Sequence, residues 1–124
     1  MRVTRYRIAD AEGKSGWGGP DFHGSDLIDA GSHPGAEMTV GFTRVAARQQ
    51  MTATFPYDEV MVILKGSVVV NREHDDPVTG REGDVLYLPA NSTNTYEFDT
   101  EFEAAYIASP PRVYARHVID TGHG

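Results

Sequence analysis

Glu59 is the residue of this chain best suited to acid–base chemistry. It heads the run EVMVILKG, a single carboxyl followed by five apolar residues. Turned inward among Met61 and Ile63, it would lose water and its pKa would rise, as a general acid or base requires. The competing reading is a structural carboxylate hydrogen-bonded to a turn. Tyr57, two residues earlier, and Tyr87, Tyr96 and Tyr106 offer phenol donors toward a bound carbonyl or carboxylate. Glu59, Tyr57 and Tyr87 are the catalytic candidates. Arg48, Gln50, Thr52 and Thr54 alternate in sequence and share one face of an extended strand. With Asn94, Tyr96 and Tyr106 they form the substrate-binding candidates. Arg48 suits an anionic substrate, or else pairs with an acidic neighbour.

The five histidines do not regroup into a ligand set. His23 and His33 lie in glycine-rich stretches, His74 sits in the turn EHDDP, and His117 and His123 lie near the C-terminus. His74 reads as a solvated hairpin tip. His33 and His117 remain candidates for acid–base work if the fold brings them to the site. Cysteine is absent, which removes thiolate nucleophiles, disulfides and Cys-based zinc sites together.

Elements that position these residues can be read from alternation and from turn signals. Residues 60–64 and 85–88 are short apolar runs, the first closed by Gly66, the second opened by Gly83-Asp84 and stopped by Pro89. Gly66 followed by three valines at 68–70 reads as a turn feeding another strand. Residues 38–43, 45–54, 94–98 and 102–108 extend the series, and residues 2–8 read as a first strand. The stretch 11–26, rich in glycine and bearing Trp17 and Phe22, reads as a long ordered loop that could cross to a neighbouring chain. After Pro110-Pro111, residues 112–119 read as an edge strand or a short helix. Seven to ten short strands without a convincing helix indicate an all-β sandwich or barrel.

The length of 124 residues is that of one domain, with an N-terminal strand and loop (1–36), a core (37–109) and a C-terminal edge segment (110–124). A net charge of −7 disfavours a phosphate backbone as partner, and Arg2, Arg5 and Arg7 read as a solvated strand edge. No run approaches the roughly 20 apolar residues of a membrane span, and the first residues lack the apolar centre of a signal peptide. A cytoplasmic protein is the expectation.

The motifs at 59–66 and 83–89 resemble those of the cupin superfamily. Cupins carry a glutamate followed after six residues by glycine, here Glu59 and Gly66, and a glycine followed after five residues by proline, here Gly83 and Pro89. Sixteen residues separate the two motifs. Within that superfamily, YDEVMVILKGSVVV and GDVLYLPANS most resemble the cupin domain of ethanolamine-utilisation protein Q and its relatives. The resemblance implies a jelly-roll barrel, the double-stranded β-helix, and a homodimer. It also implies where metal ligands would fall: the His-x-His pair on Thr52 and Thr54, the third histidine on Asn94, with Glu59 alone matching. Threonine and asparagine are poor ligands for transition metals. No cofactor is expected; a divalent Mn, Fe, Ni or Zn bound through Glu59 and an atypical set is the alternative.

These residues leave three functions open. The first is a metal-independent isomerase, lyase or cyclase acting on a small polar metabolite through Glu59. The second is a non-catalytic ligand-binding or accessory cupin, and the third a metal-dependent cupin with unusual ligands.

Overall fold

A computed structural model describes residues 2–10, 15–16, 19–72 and 74–121. Ten strands and one helix succeed one another in chain order: β1 (Ser15–Gly16), β2 (Gly19–Ile28), β3 (Thr39–Val45), β4 (Gln49–Thr54), β5 (Asp58–Lys65), β6 (Ser67–Asn71), β7 (Val78–Arg81), β8 (Val85–Leu88), β9 (Thr93–Phe98), β10 (Phe102–Ser109) and α1 (Pro111–Thr121). They form two antiparallel sheets, one ordered β1-β2-β3-β10-β5-β8 and the other β4-β9-β6-β7. The expected all-β jelly roll is the observed fold, with one small helix added.

Alternation builds the core between the sheets. β3 and β10 bury every second residue, so Thr39, Gly41, Thr43 and Val45 lie on the same inner face as Phe102, Ala104, Tyr106 and Ala108. Glu59, Met61 and Ile63 continue that face on β5. The opposite sheet supplies Asn94, Tyr96 and Phe98 from β9 and Val68 and Val70 from β6. Phe102, Ile63 and Val68 are almost wholly enclosed, and each such side chain contributes about 1.5–3 kcal/mol through removal from water.

The chain crosses between sheets at short turns. Gly66 joins β5 to β6 with a φ of 76°, and a Cβ there would overlap the Glu101 carbonyl oxygen. Glycine is thus required twice over at the position the motif assigns to it. Gly83, also left-handed, donates its N–H to the Ile63 carbonyl at 2.9 Å and starts the turn into β8.

Three expectations from sequence differ from the structure, and a fourth, left open between two alternatives, is decided by it. Residues 45–54 are not one strand: β3 ends at Val45, a bend with left-handed Arg48 (φ 61°) carries the chain to the other sheet, and β4 begins at Gln49. Residues 2–7 have no regular structure and are followed by a 3-10 turn at Ile8–Asp10, fixed by the Arg44 guanidinium donating to the Ile8 carbonyl at 3.0 Å. Much of the expected loop at 11–26 is strand, because Phe22, Gly24 and Asp26 pair in register with Val45, Thr43 and Gly41 of β3. Trp17 lies outside the described residues. Residues 112–119 take the helical alternative, within α1. No described helix is long and apolar enough to cross a membrane.

Candidate functional site

One row of the larger sheet runs Thr39, Ala108, Glu59, Leu88, and the next runs Asp26, Gly41, Tyr106, Met61. Small residues at Ala108 and Gly41 keep these rows low and leave space for the polar groups beside them. Glu59 is only 6% exposed. Desolvation pushes its carboxyl up to about 8, so near neutrality it holds its proton. It lines an internal cavity of about 10 Å³ with Tyr96, Thr43, Met51, Phe55 and Met61, at the threshold of room for one water. The Tyr96 hydroxyl is buried there without a hydrogen-bond partner among the described residues. Burial and then the Glu59 charge raise its pKa; the Asn94 amide, outside hydrogen-bond geometry, pulls the other way. A buried hydroxyl left unpaired costs about 1–3 kcal/mol, so it marks a position where a polar group is welcome.

Above this cavity lies a second cluster of Tyr57, Tyr106, Ala108 and Tyr114, flanked by Phe55 and Val113. Tyr106 lies across Gly41 and donates its hydroxyl to Asp26 Oδ1. Tyr114 of α1 donates to the same oxygen at 2.8 Å. The Tyr57 ring packs against Tyr114 (5.1 Å between centroids), Phe55 (5.3 Å) and His117 (5.7 Å). Burial is the main cause that raises the pKa of Tyr57, Tyr106 and Tyr114. Neighbouring charge adds to it: Glu59 and Asp26 both act on Tyr57 and on Tyr114.

The candidates read from sequence divide accordingly. Glu59, Tyr57, Tyr96 and Tyr106 come together at one end of the sandwich, and Asn94 is buried beside them on β9, its amide donating to Ser92 Oγ at 3.1 Å. His117 reaches the same end, its ring 5.7 Å from that of Phe55. Tyr87 does not: it is 61% exposed on β8 and donates to Asp58 at 3.1 Å. Arg48, Gln50, Thr52 and Thr54 also point away, because the pairing Met51↔Tyr96 and Ala53↔Asn94 puts Met51 and Ala53 on the inner face. The threonines instead bond outward partners, Thr52 with Thr95 at 2.9 Å and Thr54 with Thr93 at 2.6 Å. His33 is held in its turn by Ser32 and Tyr6. Asp26 and Tyr114 were invisible as site residues in the sequence, one in an expected loop and the other in a segment of undecided structure. The chemical signal available was Gly41, whose need becomes plain only once Tyr106 lies across it.

A second hollow of about 350 Å³ opens between β8 and the β6–β7 hairpin, with Leu88, Ser92 and Asn94 at its inner end and Arg72, Asp75 and Asp76 at its lip. Leu88 is the register partner of Glu59, so this hollow approaches the same interior from the opposite side.

The family of EutQ-like cupin domains matches residues 36–106, more than half of the chain, including both motifs. This protein belongs to the EutQ-like cupins. None of the curated proteins matches it. Among solved structures, a putative ethanolamine utilization protein Q from Salmonella typhimurium is 26% identical, with a TM-score of 0.65 over 73% of this chain and 70% of that one. A Rhizobium leguminosarum protein of unknown function is also 26% identical, with a TM-score of 0.71 over 89% of this chain and 99% of that one. Ectoine synthase from P. lautus shares the fold at 10% identity, with a TM-score of 0.74 over 88% of this chain and 79% of that one.

The EutQ-like cupin does not offer the histidine set of a metal-binding cupin. Met51 of β4 and Phe55 just after it face Glu59's cavity, and Ala53 pairs across from Asn94, so the strand supplies no imidazole to the interior. Among the described residues no three His, Cys, Asp or Glu side chains are grouped to hold a metal ion.

Proposed function

We propose that this EutQ-like cupin binds a small polar metabolite at the end of its barrel and moves a proton on it through Glu59, as an isomerase, lyase or cyclase would. The observation that carries this reading is the enclosed Glu59 carboxyl, protonated near neutrality by desolvation, next to the unpartnered Tyr96 hydroxyl. A carboxylic acid whose pKa sits near the operating pH is matched to both halves of a proton transfer. Tyr57 orients the ligand as a hydrogen-bond donor, and Tyr106, whose hydroxyl is given to Asp26, lines the wall beside it. Fold likeness to a protein named for ethanolamine utilization and to an ectoine synthase supports a small-molecule role at the level of the fold.

Non-catalytic ligand binding is the second reading, favoured by the apolar Met51 and Ala53 on the inner face of β4 and Phe55 just after it. Metabolite screening by thermal shift, with Glu59→Gln beside the wild type, separates the two. A ligand that is converted by the wild type and bound but not converted by a folded Glu59→Gln supports catalysis. Conversion by Glu59→Gln at the wild-type rate overturns it, and binding without conversion by either protein selects the second reading.

We further propose a cytoplasmic homodimer. The outer face of the larger sheet carries Val60, Val62 and Ile107 beside Val85 and Tyr87, both 61% exposed, which supports pairing of that face. Elution as a clean monomer on gel filtration would sink the dimer.

A further inference from the structure

We propose that the barrel end beneath α1 takes a small organic ammonium ion, whose N–H groups bond the Asp26 carboxylate in place of the Tyr114 hydroxyl. The inference deepens the reading of the Glu59 site and rests on it.

Charge sets the ligand class. Asp26 is exposed at the rim, where the Tyr106 and Tyr114 hydroxyls both donate to its carboxylate, and Glu59 is buried. Arg48, the cation expected to receive an anionic substrate, is exposed on the bend before β4, and Arg112 of α1 is exposed as well. His117 is the cationisable neighbour, and its imidazole can pass into the neutral form. An anion entering here would meet the Asp26 carboxylate and ring faces; a cation meets complementary charge there.

The ring arrangement agrees with this. Phe55, Tyr57, Tyr106 and Tyr114 form a continuous aromatic wall, with Phe55 stacked on Tyr57 and Tyr106 on Tyr114. Such faces attract an ammonium group and accept its hydrocarbon part equally well. The Tyr96 hydroxyl gives independent support: it is 2% exposed, shares the cavity of Glu59 and has no partner among the described residues.

Space decides how the ligand enters. The cavity of about 10 Å³ at Glu59 cannot hold several heavy atoms and Tyr114 does not line it, so the ligand takes the place of the Tyr114 side chain at Asp26. Its hydroxyl donates to Asp26 as an ammonium N–H would, and its ring lies over Tyr57 as a hydrocarbon chain would. Tyr114 is thus a stand-in for the ligand, carried on α1.

Nuclear magnetic resonance titrations of the full chain with butylammonium, butanol and butyrate at equal ionic strength test this. Butylammonium should shift signals around Tyr57 and Tyr106 saturably. Asp26→Asn should weaken it about tenfold, as expected for loss of a charged hydrogen bond. Tyr114→Phe keeps the ring but frees Asp26, and should tighten butylammonium a few-fold. Equal or tighter binding of butanol or butyrate at these residues would overturn the ammonium class and leave the Glu59 pocket standing. No saturable shift by butylammonium up to about 50 mM in either wild type or Tyr114→Phe overturns the proposal. Weaker binding in Tyr114→Phe overturns the stand-in role.

Discussion

Replacing Glu59 by Gln should make this protein more stable in alkali and remove much of the pH dependence of its folding. In the folded chain the Glu59 carboxyl titrates at about 8, because burial disfavours the charged form; unfolded, it returns to about 4.5. Between those limits the native state holds a proton that the unfolded state has released. Folding therefore takes up a proton, and stability falls as pH rises from about 5 to about 8 before levelling off. At about 1.4 kcal/mol per pH unit, the gap amounts to about 5 kcal/mol, a large fraction of the stability of a domain of this size. Glutamine has the shape of the protonated acid and does not titrate. Urea unfolding of both proteins at pH 5, 6, 7, 8 and 9 gives the test, since groups common to both cancel in the difference. The wild type should lose ground to Glu59→Gln by about 1.4 kcal/mol for each pH unit up to about 8, and no further beyond it. A difference that stays flat from pH 5 to 9 would mean that Glu59 ionises normally in the folded state. The argument from desolvation would then fail, and the acid–base role with it.

Three further outcomes check the geometry. Gly41→Ala should cost about 2 kcal/mol or more in urea unfolding, because the new Cβ overlaps both the Ser25 carbonyl and the Tyr106 hydroxyl, and it should release Tyr106 from Asp26. Gly66→Ala should destabilise by a similar amount, about 2 kcal/mol, through its left-handed φ and the overlap with Glu101, and should slip the β5–β6 crossing. Tyr87→Phe and the pair Thr52→Val with Thr54→Val should each change stability by less than about 1 kcal/mol and leave any ligand-induced thermal shift intact, because these side chains face outward. Loss of the ligand response in the threonine variant would show that β4 sits in the opposite phase.

The strand positions around the two motifs were legible because local signals agreed there. Apolar runs, a glycine that must be left-handed and a proline that cannot continue a ladder all marked the same boundaries at Gly66, Gly83 and Pro89. Glu59 could be named for a related reason: a lone carboxyl in an apolar alternating strand has few destinations other than a buried one. The phase of β4 was not legible. Arg48, Gln50, Thr52 and Thr54 form one face and Met51, Ala53 and Phe55 the other, and a one-residue slip exchanges them. Pairing with β9 settled it, with Asn94 and Tyr96 carrying Ala53 and Met51 inward. The helix was legible only as one of two options, since two prolines mark the end of β10 without dictating the conformation of the residues after them.

The sequence by itself determined the β class and the sheet-crossing turns and named Glu59 as a carboxyl the core could enclose, because these depend on neighbours a few residues apart. The tertiary structure alone decided what meets that carboxyl. Asp26 is separated from Tyr106 and Tyr114 by 80 and 88 residues along the chain, and the two phenols share one of its oxygens only because β2, β3 and β10 lie side by side and α1 folds back over them. No local pattern encodes such a meeting. It arises from register, from the missing side chain at Gly41 and from the loss of water at the closed end of the barrel.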